Sequence, residues 1–498
     1  NSICNYGDWI AMAIHEGELM KYNPGTNQLV KIDIPEANHT FVRNVACFDN
    51  ELWVGTHEGL FVVNERKNKI VHLKQDLMRP FSLSDKIIYT IYRDREGGIW
   101  LGTMFGGVDY LPHHDLLFDK YVPGSDGNSL TTKRVREIAS DNKGNIWIGT
   151  EDDGVNILNI ASGKVRRLRL NDYDKGNYMV TLGMFVKGSQ LFCGLFKQGL
   201  DVIQLPENKV CHYTPEELNI GEGSVYTFFI DNEGYKWIGT GWGLYKAAPT
   251  SFHFDKVEEV GFDWIFDVFQ DKDGMMWFAS MGSGLWKYDP HKNLFKKYTH
   301  EEGKENTLSS NSVSSVMQDC KGRIWISTDR GGICCYNSQT DDFTTFSIKD
   351  GLPDDVAYKI LEDEQSNLWF GTNRGLVRFN PESKDIRVYT TKDGLLGNQF
   401  NYKSALKGED GKFYFGGIDG LIAFDPNSSE KINFLPPVYI SKFSIYNQEI
   451  TVHTPNSPLK KCIEHTDEII LPYDQANISF DVALLSYSTT ESNQYYYK

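Results

Sequence analysis

Trp242 stands between Gly241 and Gly243, in a connection too short to have a core position to fill. An indole left in solvent can stack on the C–H face of a sugar, and residues in comparable connections supply polar partners. Asp153, Lys197, Arg330 and Arg374 follow strand-like segments such as Trp147-Ile-Gly-Thr150, while Arg134, Asp263 and Trp264 stand just before the next such segment begins. Arginine presents a rigid fork of donors that suits carboxylates and paired hydroxyls, and carboxylates accept from hydroxyls. Aromatic faces beside a few convergent polar groups are what an oligosaccharide site needs, so these eight residues are the candidate ligand-binding set. None of them is read as catalytic. A lyase or hydrolase would need a convergent His or Glu base, often with a metal. The corresponding connections from residue 115 onward contain no histidine, and His57 is alone in its own.

The elements that position these residues come from a repeat. Aromatic anchors fall at Trp9, Trp53, Trp100, Trp147, Phe192, Trp237, Trp277, Trp325, Trp369 and Tyr414, spaced by 40 to 48 residues. A period in that range is the signature of four-stranded propeller blades. Turns of the form Asp-x-x-Gly (Asp231 to Gly234, Asp271 to Gly274, Asp319 to Gly322) separate an inner strand from the second strand that carries the anchor. A tight hairpin then ends in glycine and an apolar residue, as at Gly243-Leu244, Gly375-Leu376 and Gly420-Leu421. The anchors recur at one register, which assigns them to the packing between blades rather than to a binding row. In a blade of strands A to D, the B–C hairpins and the D–A crossovers share one face of the ring, so all eight candidates lie on that face.

Ten repeats exceed the usual four to eight blades of one ring. The tenth lacks an outer strand after Phe424, and the segment Leu117 to Tyr121 has an outer-strand pattern without a blade of its own. Pairing the two closes a seven-bladed ring over 115–430. Repeats one to three, 1–114, are then the last blades of a preceding propeller, with further blades expected upstream. Only eight positions separate Asn1-Ser2 from Trp9, which predicts that the first blade has lost most of its inner strand. From 431 to 498 the repeat gives way to alternating strands such as Ile478 to Val482, the start of a β-sandwich.

Composition fits this all-β reading: 13% of residues are aromatic and 45 are glycine. A net charge of −16 argues against a nucleic-acid groove, which demands clustered Lys and Arg. No apolar run is long enough to span a membrane. The eight cysteines have no paired spacing and the histidines no ligand spacing, so neither a disulfide framework nor a metal site nor a cofactor is read from them.

The stretches Gly351-Leu-Pro-Asp-Asp-Val356 leading to Asp363, and Thr307-Leu-Ser-Ser-Asn311 leading to Asp319-Cys-Lys-Gly322 and Trp325, resemble the two-component regulator propeller repeat. Pro436-Pro437, Ser479-Phe480 and Tyr495 to Tyr497 resemble the Y_Y_Y domain that follows such propellers. The resemblance implies the periplasmic sensor region of a Bacteroides-type hybrid two-component system, non-catalytic itself and without a cofactor. It also implies an oligosaccharide ligand, control of glycan-utilisation genes, a homodimer formed through the Y_Y_Y region, and membrane tethering and histidine kinase activity in parts outside this sequence. A propeller-type polysaccharide lyase and a protein-binding scaffold are the alternatives, since rings of this kind serve both.

Overall fold

A computed structural model describes residues 2–487 apart from 15–17, 35–39, 77–80, 113–117, 125–127, 169–179, 206, 222, 429–436 and 476. The chain divides into two compact units, one made of Asn1–Asp115 with Glu430–Lys498 and the other of Leu116–Ser429.

In the second unit, seven blades of antiparallel strands follow one another, each from an inner strand outward, and the first and last are joined by a parallel pairing of Glu137 with Lys403. Every anchor lies in the second strand of its blade. Trp147, Phe192, Trp237, Trp277, Trp325, Trp369 and Tyr414 are all buried there. Each turn aspartate has two tasks. One oxygen of Asp231 accepts the backbone N–H groups of Glu233 and Tyr235, and the other accepts the Trp237 indole N–H at 2.8 Å. The pattern repeats at Asp271 with Trp277, Asp319 with Trp325 and Asp363 with Trp369. Repeat five supports the logic by omission: Phe192 has no N–H to offer, and its turn, Lys187-Gly188-Ser189, has no aspartate. The turns are therefore structural clamps that fix an aromatic anchor to the strand entry.

The last sheet of this unit contains Phe400–Lys407, Phe413–Gly417 and Leu421–Phe424, and its fourth strand is Asp119–Tyr121 from the other end of the unit. Asp119 pairs with Ala423 and Tyr121 with Leu421, and the Lys412 ammonium meets the Asp119 carboxylate at 2.5 Å. The donated segment packs on both sides. Phe118 enters the core of Trp369, Phe415 and Phe424, whereas Tyr121 enters that of Val135, Ile148 and Leu421. Leu117 lies outside the described residues. Closure in this way pairs the outer side of Leu421–Phe424 and completes the blade as four strands.

Gly420 shows how tightly the donated strand is seated. Its φ is +137°, and a Cβ there would lie 2.5 Å from the Tyr121 carbonyl oxygen. Gly375 occupies the same relation to Tyr389, the last residue of its own blade's fourth strand. Tyr121 thus replaces the residue that four other blades of this unit supply internally, Tyr213 at Gly199, Tyr298 at Gly284, Phe346 at Gly332 and Tyr389 at Gly375. Gly420→Ala is expected to cost about 1–3 kcal/mol from the backbone conformation alone, with further loss from displacing the strand. Thermal unfolding together with protease cleavage near residue 121 would measure it, and a variant as stable and resistant as the parent would refute the seating.

The first unit contains sheets Ser2–Tyr6 to Gln28–Lys31, Val42–Phe48 to Lys69–Leu73, and a three-stranded sheet of Ile88–Arg93, Ile99–Thr103 and Val108–Leu111. The first blade does have an inner strand. Ser2–Tyr6 pairs with Trp9–Ala13 through the turn at Gly7-Asp8, so five strand residues fit into a span that an Asp-x-x-Gly turn would have filled. Val438–Ile445 pairs with Ile478–Leu484 and Gln448–Glu449, the alternating strands expected after the repeats. The Glu96 carboxylate accepts from the Ser486 hydroxyl at 3.2 Å and the Tyr487 N–H at 2.9 Å, and Tyr487 meets Trp100 edge to face. Tyr495 to Tyr497 and Pro436 lie outside the described residues.

Candidate functional site

Five inner strands of the second unit carry one extra residue near their start. The register against the second strand slips between Val225 and Thr227, between Ile265 and Asp267, and between Val313 and Ser315. A bulge re-aims the extra side chain, and here it directs Tyr226 and Phe266 toward the ring axis. The inner strand of the last blade departs further: its pairing jumps from Phe400–Gly417 to Ala405–Phe415, so Asn401 to Ser404 project as an enlarged bulge. The Lys359 N–H donates to the Tyr402 carbonyl at 3.0 Å and holds that bulge in place.

The consequence is a continuous aromatic floor. Tyr226 and Trp264 have ring centroids 5.0 Å apart, Trp264 and Phe266 6.2 Å, Phe266 and Tyr402 5.4 Å, and Tyr402 and Tyr358 5.1 Å. Phe266 and Tyr402 come from blades that are not neighbours, so their contact spans the channel. The Tyr358 hydroxyl donates to Asn373 Oδ1 at 2.7 Å, which ties the floor to a B–C loop. Burial pushes the Tyr402 phenol up; Asp329 adds to this while Arg136 and Arg330 oppose it.

Beneath the floor the channel is closed by ions. Lys403 donates to Glu137 Oε2 at 3.1 Å and to the Tyr226 carbonyl at 2.5 Å, and Lys359 stands 3.9 Å from Glu137. Glu137 and Lys403 are each 4% exposed. Burial raises the Glu137 carboxyl, the Lys403 and Lys359 ammonium groups pull it down, and the net direction is up. Lys403 also lies 5.2 Å from the centroid of the Phe266 ring, which couples the plug to the floor.

The eight candidates separate on this geometry. Trp264 is part of the floor, and Arg330 acts on Tyr402. Trp242 is 58% exposed on the same face, and Arg374 is exposed in a loop whose Thr372 hydroxyl accepts the Arg374 N–H. The other four are engaged within the fold. Arg134 lies 3.6 Å from Glu151, and Asp153 meets Arg167 at 2.6 Å. The Lys197 ammonium lies over the Phe196 ring. Asp263 accepts from the Trp286 indole and the Lys297 ammonium; burial opposes its charge, but hydrogen bonds from Lys297, Trp286 and Ser283 together with the Lys297 charge hold the carboxyl below its usual range. Tyr226, Phe266, Tyr358 and Tyr402 were missed. Tyr226, Phe266 and Tyr358 stand five residues before Asp231, Asp271 and Asp363, a spacing that could have found them.

Residues 82–105, 129–152 and 351–374 match the sequence model of the two-component regulator propeller. The chain carries two-component regulator propeller repeats. A histidine kinase of Formosa agariphila is 28% identical over 280 residues, which are 46% of this chain and 20% of that protein. The chain therefore spans about one fifth of that relative's length. Among solved structures, the extracellular domain of a hybrid two-component system of B. thetaiotaomicron has a TM-score of 0.75 at 23% identity, over 97% of this chain and 63% of that one. The extracellular domain of a one-component system of the same organism has a TM-score of 0.50 at 21% identity, over 99% of this chain and 67% of that one. The repeat chain thus has the fold of these extracellular domains, and among the described residues no helix is long and apolar enough to cross a membrane.

Proposed function

We propose that this chain is the extracytoplasmic ligand-sensing region of a hybrid two-component system, and that its ligand is an oligosaccharide held on the B–C face of the seven-bladed unit. The observation that carries the ligand class is the floor of Tyr226, Trp264, Phe266, Tyr402 and Tyr358 beside Arg330 and Asp329. The rings meet tilted or edge to face, and the exposed Trp264 with the half-buried Tyr226 and Tyr402 offers surfaces for the C–H faces of sugars, while Arg330 and Asp329 suit hydroxyls or an acid at the edge. Lys403 and Glu137 close the channel below, so a ligand entering from this face stops at the floor. Occupancy would then bias a Y_Y_Y region paired with a second copy between two arrangements, and through it a kinase across the membrane that controls glycan-utilisation genes.

Calorimetric titration with neutral, uronic-acid and sulfated oligosaccharides, followed by chromatography for product, tests this reading. Saturable heat without new product is the expected result; turnover would transfer the chain to the lyases. Tyr402→Ala is expected to weaken affinity at least about tenfold, equivalent to 1.4 kcal/mol, and Trp242→Ala to weaken it by less because that ring is further from the axis. Affinity unchanged in both variants would remove the face from consideration.

A further inference from the structure

Two cysteines in the first unit face one another. Cys4 lies in the inner strand Ser2–Tyr6 and Cys47 in the inner strand Val42–Phe48 of the next blade. The Ser2 hydroxyl accepts from the Val45 N–H at 3.2 Å and lies 3.3 Å from the Val45 carbonyl, which sets these two residues side by side. Inner strands of successive blades run in the same direction, so two residues further along each strand the neighbours are Cys4 and Cys47. The side-chain faces agree. Cys4 and Tyr6 pack on the core that holds Val45 with Ala11, Ala13 and Leu19. Ala46 and Phe48 instead pack on the opposite core, with Trp53, Ile88 and Ile99. Alternation along a strand therefore puts Cys47 on the same side as Val45, toward Cys4.

We propose that Cys4 and Cys47 are an oxidisable pair that forms a disulfide joining the first two blades. The oxidant is a second disulfide, either a small one such as oxidised glutathione or that of an exported dithiol oxidant. One cysteine thiolate attacks a sulfur of the oxidant, whose S–S bond breaks with release of one thiolate. The other cysteine attacks the mixed disulfide, forms the Cys4–Cys47 bond and displaces the second thiolate. Two electrons pass to the oxidant, and the two protons lost by the cysteines are taken up by its thiolates or by water. Burial pushes the Cys4 thiol up to about 11, with Cys47 as a further contributor, and burial also raises Cys47. Little thiolate is present at neutral pH, so the reaction is slow without a catalyst. Formation of the bond in the cell rests on the extracytoplasmic reading; its formation in the test tube rests only on the geometry.

The test incubates the purified chain with oxidised glutathione, alkylates it in denaturant and maps its peptides by mass spectrometry. The expected product is a Cys4–Cys47 crosslinked peptide in which neither residue is alkylated. Cys211, Cys320 and Cys462 are exposed and report on glutathione adducts in the same sample. Reduction is then expected to lower the Tm of the oxidised parent but not that of Cys4→Ser. Complete alkylation of both residues, glutathione adducts alone, or pairing of either with another cysteine would overturn the proposal. Because the mapping uses the parent chain, it decides the question even if Cys4→Ser does not fold.

Discussion

Lys403→Ala is expected to destabilise the seven-bladed unit by about 3–5 kcal/mol, because it leaves the buried Glu137 carboxylate without its principal partner. The ammonium sits 3.1 Å from Glu137 and its second bond, to the Tyr226 carbonyl, is lost with it. Lys359, at 3.9 Å, is left as the nearer cation and compensates in part. Replacing both partners by apolar groups of similar length, Glu137→Leu with Lys403→Met, should return stability to within about 2 kcal/mol of the parent, since the desolvation of both charges disappears with the pair. Urea unfolding of the three proteins makes the comparison. If the single variant were as stable as the parent at every pH, including where Glu137 is ionised, Glu137 would have to be solvated, contrary to its position.

The deficit must depend on pH in one direction. Burial already holds the folded-state pKa of Glu137 above its ordinary value, and loss of Lys403 raises it further. A carboxyl whose pKa is higher in the folded state binds more protons there, so stability falls as pH rises from the unfolded pKa through the folded one. The Lys403→Ala deficit should therefore shrink on acidification toward the ordinary carboxylate range and be complete only above the folded-state pKa of the variant. A deficit that did not change with pH would assign the loss to packing of the lysine stem against Phe266 instead.

Repeats are legible in a sequence because each copy restates the same local physics. The ten anchors, the aspartate turns and the hairpin glycines were read from spacing, and even the donated strand at Asp119–Tyr121 followed from a missing element in one repeat and a surplus in another. The channel floor was not legible by the same means. Alternation in an inner strand predicts two faces, both packed against neighbouring blades, but a bulge adds a third direction for one residue. Tyr226 and Phe266 take that direction, and at the same position the sequence has Arg136 and Ser314, which gave no hint of an aromatic series. Loop residues were easier to nominate, and several proved to have partners: Asp153 with Arg167 and Asp263 with Lys297 each join a loop residue to the fourth strand of the same blade, where no local pattern connects them. Contacts of this range, like Glu96 with Ser486, depend on how the chain returns rather than on any one repeat.

Asp363→Ala is the second change with a large expected effect, a loss of at least about 3 kcal/mol. Its carboxylate accepts four bonds: the N–H groups of Gln365 and Asn367 at 2.9 and 2.8 Å, the Asn367 side-chain amide at 2.9 Å, and the Trp369 indole at 2.8 Å. Asn367 and Trp369 are buried, so their donors cannot turn to water, and each buried donor left unsatisfied costs about 1–3 kcal/mol. Asp363→Asn keeps an acceptor for some of these donors while placing an N–H₂ against the rest, so it should fall between alanine and the parent. Phe192 sharpens the test. Its blade has neither the carboxylate nor the indole N–H, so removing both together is compatible with the fold. Trp369→Phe combined with Asp363→Ala should therefore be less damaging than the sum of the two single changes, by about 1–2 kcal/mol of coupling. Strict additivity in that cycle would mean that the aspartate shapes the turn alone and that the indole bond contributes nothing to holding the anchor.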